Sequence, residues 1–191
     1  MRLRLPSRIE AWERLQQAAP DAWVLRHCRA VEALAVAMAD RAQTQGLHLD
    51  ADLVARGALL HDIGRSVTHD IRHAHIGADL LRGDPQPEPL ACVVERHTGA
   101  GVDEAEATAA GLPPREYTPR SLEERIVAHA DNLYSGDKRL DLAAVESKYR
   151  AKGLDGAWQR IEMLHQDLCQ SLDCDLEALP PAKLADLPGP S

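Results

Sequence analysis

Leu53-Val54-Ala55-Arg56-Gly57-Ala58-Leu59-Leu60-His61-Asp62-Ile63-Gly64 is an apolar run that ends in an imidazole, a carboxylate and a glycine. Asp50 stands where a helix N-cap belongs, and Gly64 where a helix commonly stops. The spacing therefore predicts a helix from Asp50 to about Ile63-Gly64, with His61 on the face of Val54 and Ala58. Neighbouring residues on a helix point about 100° apart. At a helix end, both His61 and Asp62 can still converge on one ion. A buried carboxylate is costly unless it is paired or bound to a metal.

Helical signals extend outward from this run. Ser7 with Glu10 reads as a capping box that opens a helix through about Gln17. Pro20-Asp21 starts a longer helix carrying Val24, Val31, Leu34 and Met38, which ends near Gly46. Short helices follow at His73–Leu81 and Glu88–Arg96. Residues 98–120 form a long connection rich in Gly, Ala and Pro, with a short helix near Asp103–Ala110; connections of this length often serve as lids or binding loops. Ser121 and Glu124 read as a second capping box. The helix they open is apolar on most sides and is expected to be central. Helices near 139–151 and 155–172 complete the chain, and no period-two strand is evident. The expectation is an all-α, single-domain bundle: an N-terminal helix over 1–19, the main domain over 20–175, and a Pro-rich tail over 176–191 that is loose after Leu179.

Composition agrees. Hydrophobic residues make up 45% of the 191, aromatics only 3%, and Phe is absent, so the core is built from Leu, Val, Ile and Ala. A formal net charge of -8 argues against general nucleic-acid binding. It leaves room for a small phosphorylated substrate, because a metal supplies local positive charge. The four cysteines, Cys28, Cys92, Cys169 and Cys174, form no CxxC pair, which disfavours a disulfide framework or thiolate zinc site. No apolar stretch is long enough to span a membrane, and a cytoplasmic location is expected.

Further titratable residues fall on apolar helix faces. His27 shares a face with Val24, Val31 and Leu34, and Asp131 follows Val127 by four. Three helices thus each offer a ligand toward one core. His73 lies one helical turn before Gly77, and His97 ends a helix before Thr98-Gly99, so a second ion can be accommodated. Imidazole plus carboxylate without thiolate suits Fe or Mn first, then Co, Ni or Zn.

The order His27, His61-Asp62, Asp131 resembles the H…HD…D pattern of the HD superfamily, and His61-Asp62-Ile63-Gly64 its HDIG variant. His73-Ala74-His75-Ile76-Gly77-Ala78, Glu95-Arg96-His97-Thr98-Gly99, Leu122-Glu123-Glu124 and Ala130-Asp131-Asn132-Leu133-Tyr134 resemble the later blocks. These look most like bacterial HD-type symmetrical diadenosine tetraphosphate hydrolases and small HDIG proteins. The resemblance spans roughly residues 20–140. It implies a helical metal-dependent phosphohydrolase in which His27, His61, Asp62 and Asp131 hold one divalent ion. His73 and His97 would join Asp62 around a second. Asp62 and Arg65 are the catalytic candidates, and Arg65, Thr98, Lys138 and Arg139 the substrate-binding ones. Where many relatives have Lys after HDIG, this chain has Arg65, which grips phosphate differently. HHE and GYP signatures of the cyclic-dinucleotide phosphodiesterase branch are missing.

The implied substrate is a small nucleotide or other phosphate ester, with a dinucleotide polyphosphate as the most specific candidate. A homodimer is compatible with the sequence. Two rival readings exist: a di-iron oxygenase on the same fold, and a non-catalytic nucleotide-binding module that keeps its metal. His69, His75 and His129 read as surface groups or supports for the ligands, and His48 and His165 as surface residues. Trp12, Trp23 and Trp158 read as packing. Asp103–Glu106 reads as a solvated acidic face. Asp131 has Arg125 and Arg139 as alternative partners. No P-loop or GxSxG motif occurs.

Overall fold

The computed structural model describes residues 4–18, 21–84 and 86–187. Its described residues form nine α-helices and one two-residue hairpin. The helices are α1 (Arg8–Ala18), α2 (Ala22–Thr44), α3 (Ala51–Leu60), α4 (His73–Gly83), α5 (Glu88–Glu95), α6 (Glu104–Ala109), α7 (Leu122–Asn132), α8 (Leu142–Arg150) and α9 (Asp155–Leu172). The hairpin pairs β1 (Tyr134–Ser135) with β2 (Lys138–Arg139). Its turn passes through Gly136 at φ 60, a left-handed conformation that glycine adopts without cost. The sequence reading expected no strand; two-residue strands are too short to leave an alternating pattern.

Local chemistry sets the helix starts. Ser7 and Glu10 exchange backbone bonds at 3.2 and 2.6 Å, closing the expected capping box. Asp50 accepts from Leu53 N at 3.0 Å. At α7 the box is half made. Ser121 accepts from Glu124 N, but the Glu124 carboxylate takes Arg120 N at 2.7 Å and Arg96 at 2.9 Å.

α7 is central, packing against α2, α3, α5 and α9. Ile126, Val127 and Leu133 are fully buried there, with Leu34 and Met38 from α2 and Leu59 and Leu60 from α3. Each such large side chain contributes about 1.5–3 kcal/mol through its removal from water. Buried Glu32 ties α1 to α2 through Arg8, with contacts of 2.7 and 2.9 Å.

Three expectations need correction. Gly64 does not cap α3. That helix ends at Leu60, and Gly64 lies in a 3₁₀ turn, Ile63–Ser66. There a Cβ would collide with the His73 carbonyl and approach Gly77 N to 2.6 Å, so its role is close approach rather than a left-handed turn. The acidic 103–106 stretch is not merely solvated. Asp103 and Glu106 form a capping box for α6, and Glu106 pairs with Arg160 at 2.7 Å. The tail is not loose up to residue 187. Leu176 is fully buried, Ala182 N donates to Ala33 O at 2.9 Å, and Leu187 joins the core.

Candidate metal and substrate site

His61 is the last residue with α-helical backbone angles beyond α3, and Asp62 turns out of the helix at φ -95, ψ 13. This break lets adjacent side chains meet in one place. His27 comes from α2, Asp131 from the last turn of α7, His73 from the first residue of α4, and His97 from just past α5. All six ligand-type side chains of the sequence reading are therefore brought together.

Their hydrogen bonds fix the tautomers. Each imidazole Nδ1 donates to a backbone carbonyl: His27 to Gly136 O at 2.7 Å, His61 to Ala58 O at 2.7 Å, His73 to Asp70 O at 2.6 Å and His97 to Val94 O at 2.7 Å. A carbonyl only accepts, so Nδ1 carries a proton on each ring and each Nε2 turns inward. His27 Nε2 faces His61 Nε2 at 3.1 Å, and His73 Nε2 faces His97 Nε2 at 3.1 Å.

The carboxylates complete two groups. Asp131 Oδ1 lies 2.9 Å from His27 Nε2 and 3.5 Å from His61 Nε2. Asp62 faces both pairs. Its Oδ2 lies 3.7 Å from His27 and His61, while its Oδ1 lies 3.0 Å from His73 and 3.7 Å from His97. Despite that 3.0 Å approach, Asp62 Oδ1 is buried with no directed hydrogen bond. Ligand atoms of His27, His61 and Asp131, and of Asp62, His73 and His97, lie within 4.8 Å of one another. Inward Nε2 atoms crowd around an orphaned carboxylate oxygen, an arrangement that a cation between them would satisfy. The donor set therefore fits a divalent transition metal.

Electrostatics agree with that reading. Asp62 is buried and Asp131 partly so, which opposes their ionisation. The neighbouring imidazoles outweigh burial and hold both carboxyls well below the usual range, with Arg65 adding to the effect on Asp62. Burial opposes the charge on His27, but the Asp131 hydrogen bond and the Asp131 and Asp62 charges raise it to about 9. Burial, then His61 and His73, push His97 down to about 3. The Cys28 sulfur lies within 4.8 Å of ligand atoms of His61 and Asp62. Burial raises its thiol well above the ordinary range, so it stays neutral.

A cavity of about 700 Å³ opens on this cluster. Arg65 and Thr98 line it. Arg65 Nε donates to Asp62 Oδ2 at 2.5 Å, and its guanidinium sits 5.6 Å from the Trp23 ring centre. Thr98 Oγ1 is buried without a partner. Lys138 and Arg139 are not among the lining residues. Arg139 instead donates to Leu176 O and Leu179 O, both at 2.6 Å, because the hairpin turns it toward the tail. Asp131 pairs with neither Arg125 nor Arg139; Arg125 reaches Asp167 at 3.4 Å.

The sequence reading missed Asn132, Lys148, Tyr149, Lys152 and Arg160, which also line the cavity. It took Trp23 for packing, yet Trp23 is 41% exposed at the cavity. The Tyr149 hydroxyl donates to Asn132 Oδ1 at 3.3 Å, and Asn132 Nδ2 donates to Gly99 O at 2.9 Å. Burial, with the Asp131 charge, pushes Tyr149 up to about 12. His129 and His165 are not surface groups: both are buried and meet at 3.0 Å, away from the cluster.

Fold and site together define a helical-bundle protein with a His/Asp cluster suited to a divalent cation at the floor of a cavity. The chain belongs to the HD domain family, whose model matches residues 24–136. It is 45% identical over 157 residues to a tRNA (cytidine(56)-2'-O)-methyltransferase of Thermoplasma volcanium, a match covering 82% of this chain and 45% of that protein. The chain thus spans less than half the length of that relative. An uncharacterized protein of Methanocaldococcus jannaschii is 47% identical over 129 residues, covering 68% of this chain and 76% of the relative. Among solved structures, the HD domain of the L. monocytogenes phosphodiesterase PgpH in complex with cyclic-di-AMP superposes with a TM-score of 0.51. It is 19% identical and covers 85% of this chain and 95% of that one, a likeness of fold. None of these three carries the name of a diadenosine tetraphosphate hydrolase, so the narrower likeness read from the sequence has no counterpart among them. Among the described residues, no helix is long and apolar enough to cross a membrane.

Proposed function

We propose that this HD-family chain is a metal-dependent phosphohydrolase that cleaves a phosphate ester of a small nucleotide. One observation carries the reading: four imidazoles whose Nδ1 hydrogens are all committed to carbonyls turn four Nε2 atoms toward the carboxylates of Asp62 and Asp131. His27, His61 and Asp131 would hold one ion, His73 and His97 a second, with Asp62 shared between them. A divalent cation bound there supplies a Lewis acid for phosphoryl oxygens and an acidified water as nucleophile. Iron or manganese suits this thiolate-free set best.

The chain's own residues do the rest. Arg65 orients Asp62 through its 2.5 Å bond and adds to the imidazoles that keep it ionised. Its remaining guanidinium donors are available to a phosphoryl oxygen. Thr98 Oγ1, buried and unpartnered in the wall, supplies a further donor to substrate. Tyr149 stays protonated at neutral pH, and Asn132 holds its hydroxyl at the cavity wall. The aromatic face of Trp23 offers a base a surface to stack on.

The activity named for the T. volcanium relative belongs to a protein of which this chain matches less than half, and it is not proposed here. Cyclic-di-AMP in the PgpH complex favours a nucleotide as ligand. The test is product release from a panel of nucleotides with Mn²⁺ or Fe²⁺, for the natural chain and Asp131→Asn. Metal-dependent release that falls by more than about a hundredfold in the variant supports the proposal. A metal-loaded chain that hydrolyses none of the panel contradicts it.

A further inference from the structure

The chain has only four lysines, Lys138, Lys148, Lys152 and Lys183. Two of them, Lys148 near the end of α8 and Lys152 just beyond it, line the cavity. Neither makes an ion pair or side-chain hydrogen bond among the described residues. The carboxylates of the same wall are all engaged: Asp62 with Arg65 at 2.5 Å, Asp70 with Arg72 at 2.6 Å, Glu106 with Arg160 at 2.7 Å and Asp131 with His27 at 2.9 Å. Arg65 and Arg160 are thus each tied to a carboxylate, and the two lysines are the lining cations without an ion-pair partner among the described residues. In a chain of formal net charge -8, that places a cationic pair inside the one cavity that holds the ligand cluster.

Complementing the α8 dipole would account for one lysine near its C-terminus. It does not account for a second cation four residues on, where like charges repel. Nor does it account for both facing a cavity. The same cavity wall also holds Trp23, Ile71 and Leu154, which offer apolar surface to a nucleoside.

We propose that Lys148 and Lys152 form a second anion subsite, which binds a phosphate other than the one being cleaved. The substrate class is then a nucleotide with two separated phosphates, as in a nucleoside 3′,5′-bisphosphate. In the reaction, water adds to phosphorus at the cluster and the P–O ester bond breaks. The leaving alkoxide takes up the proton released from water, giving inorganic phosphate and a nucleoside monophosphate still held by the lysines. This step rests on the hydrolase reading; the subsite itself does not.

The test compares adenosine 3′,5′-bisphosphate with the 3′- and 5′-monophosphates on the full metal-loaded chain and on Lys148→Ala/Lys152→Ala. The quantity is the preference for the bisphosphate, as a ratio of kcat/KM or, where nothing is turned over, of calorimetric association constants. The natural chain is expected to prefer the bisphosphate by about tenfold or more, the worth of one charge-assisted hydrogen bond. The preference should shrink with salt and fall to near one in the double variant. Both lysines are exposed, so the variant is expected to fold, and circular dichroism checks it. No preference in the natural chain, or one that survives the double substitution, overturns the subsite. Binding preference without turnover keeps the subsite and counts against the hydrolase reading.

Discussion

His27 Nε2 and His61 Nε2 lie 3.1 Å apart, and neither ring can turn away. The His27 Nδ1 hydrogen is tied to Gly136 O and that of His61 to Ala58 O, both at 2.7 Å. Two Nε2 atoms are thus aimed at each other inside the protein, with His27 Nε2 also 2.9 Å from Asp131 Oδ1. A cation between them would take the place of the proton that His27 otherwise shares with Asp131. The hairpin turn at Gly136 is part of this, because its carbonyl sets the His27 tautomer from a residue 109 positions away.

The chain should be more stable with metal than without. At a free Mn²⁺ concentration a hundred times its dissociation constant, linkage gives about 2.7 kcal/mol. Thermal melts with metal and with chelator measure the difference. His61→Ala removes a ligand from one of the two groups, so its metal-induced shift in melting temperature should shrink, and an undiminished shift would place the ion elsewhere.

Asp62 faces both imidazole pairs and also holds Arg65, so Asp62→Asn removes one charge from two groups at once. Its cost in hydrolysis should exceed the roughly 10–100-fold typical of a residue that only supports a ligand. Steady-state kinetics with saturating metal check this. A loss below tenfold would show that the carboxylate is dispensable.

Gly64→Ala should be severe although Gly64 touches no substrate. Its Cβ would meet the His73 carbonyl, forcing the 3₁₀ turn and α4 apart. Overpacking of this kind costs about 1–3 kcal/mol or more. His73 would move with its backbone, so metal affinity should fall too. Gly83→Ala is the comparison: nothing lies within 4 Å of its Cβ. That change should be neutral or stabilising by up to about 1 kcal/mol. Denaturant melts of the two variants should differ in sign.

Acid should destabilise the chelated chain partly through His129. Burial, then His165 and Arg139, lower His129 to about 3 in the folded chain, against about 6.5 unfolded. Between those values the unfolded chain binds more protons, so stability rises with pH. The contribution is present above about pH 6.5 and is lost as pH falls below it. One such group adds a slope of at most about 1.4 kcal/mol per pH unit. His129→Leu should flatten unfolding free energy between pH 6.5 and 5. An unchanged slope would mean that His129 already finds its proton in the folded state.

His27, His61 and Asp131 were legible because each is a titratable side chain on an otherwise apolar helix face, where burial demands a partner, whereas His73 and His97 were read from their neighbouring glycines and the family's blocks. Asp62 needed the helix to end at Leu60, and the sequence placed that end three residues late, since Ile63-Gly64 looks like a helix terminus. Lys138 and Arg139 were misplaced because a two-residue hairpin leaves no periodic trace, yet it alone decides which way they point. Lys148, Tyr149 and Lys152 belong to no motif; only the packing of α8 against the cavity gives them meaning. His129 and His165 belong to no motif, and their mutual hydrogen bond is a property of α7 meeting α9. The 98–120 connection packs around Val102, Ala107, Leu112 and Tyr117 as a small second core. Alanine and glycine in its sequence concealed this.

The most direct measurement is to titrate a divalent metal into the chelated chain and record bound metal and nucleotide hydrolysis in the same samples. The account predicts that one or two ions bind per chain and that turnover rises with occupancy until the sites are full. A chain that takes up no metal, or that saturates with metal while releasing no product, would contradict it.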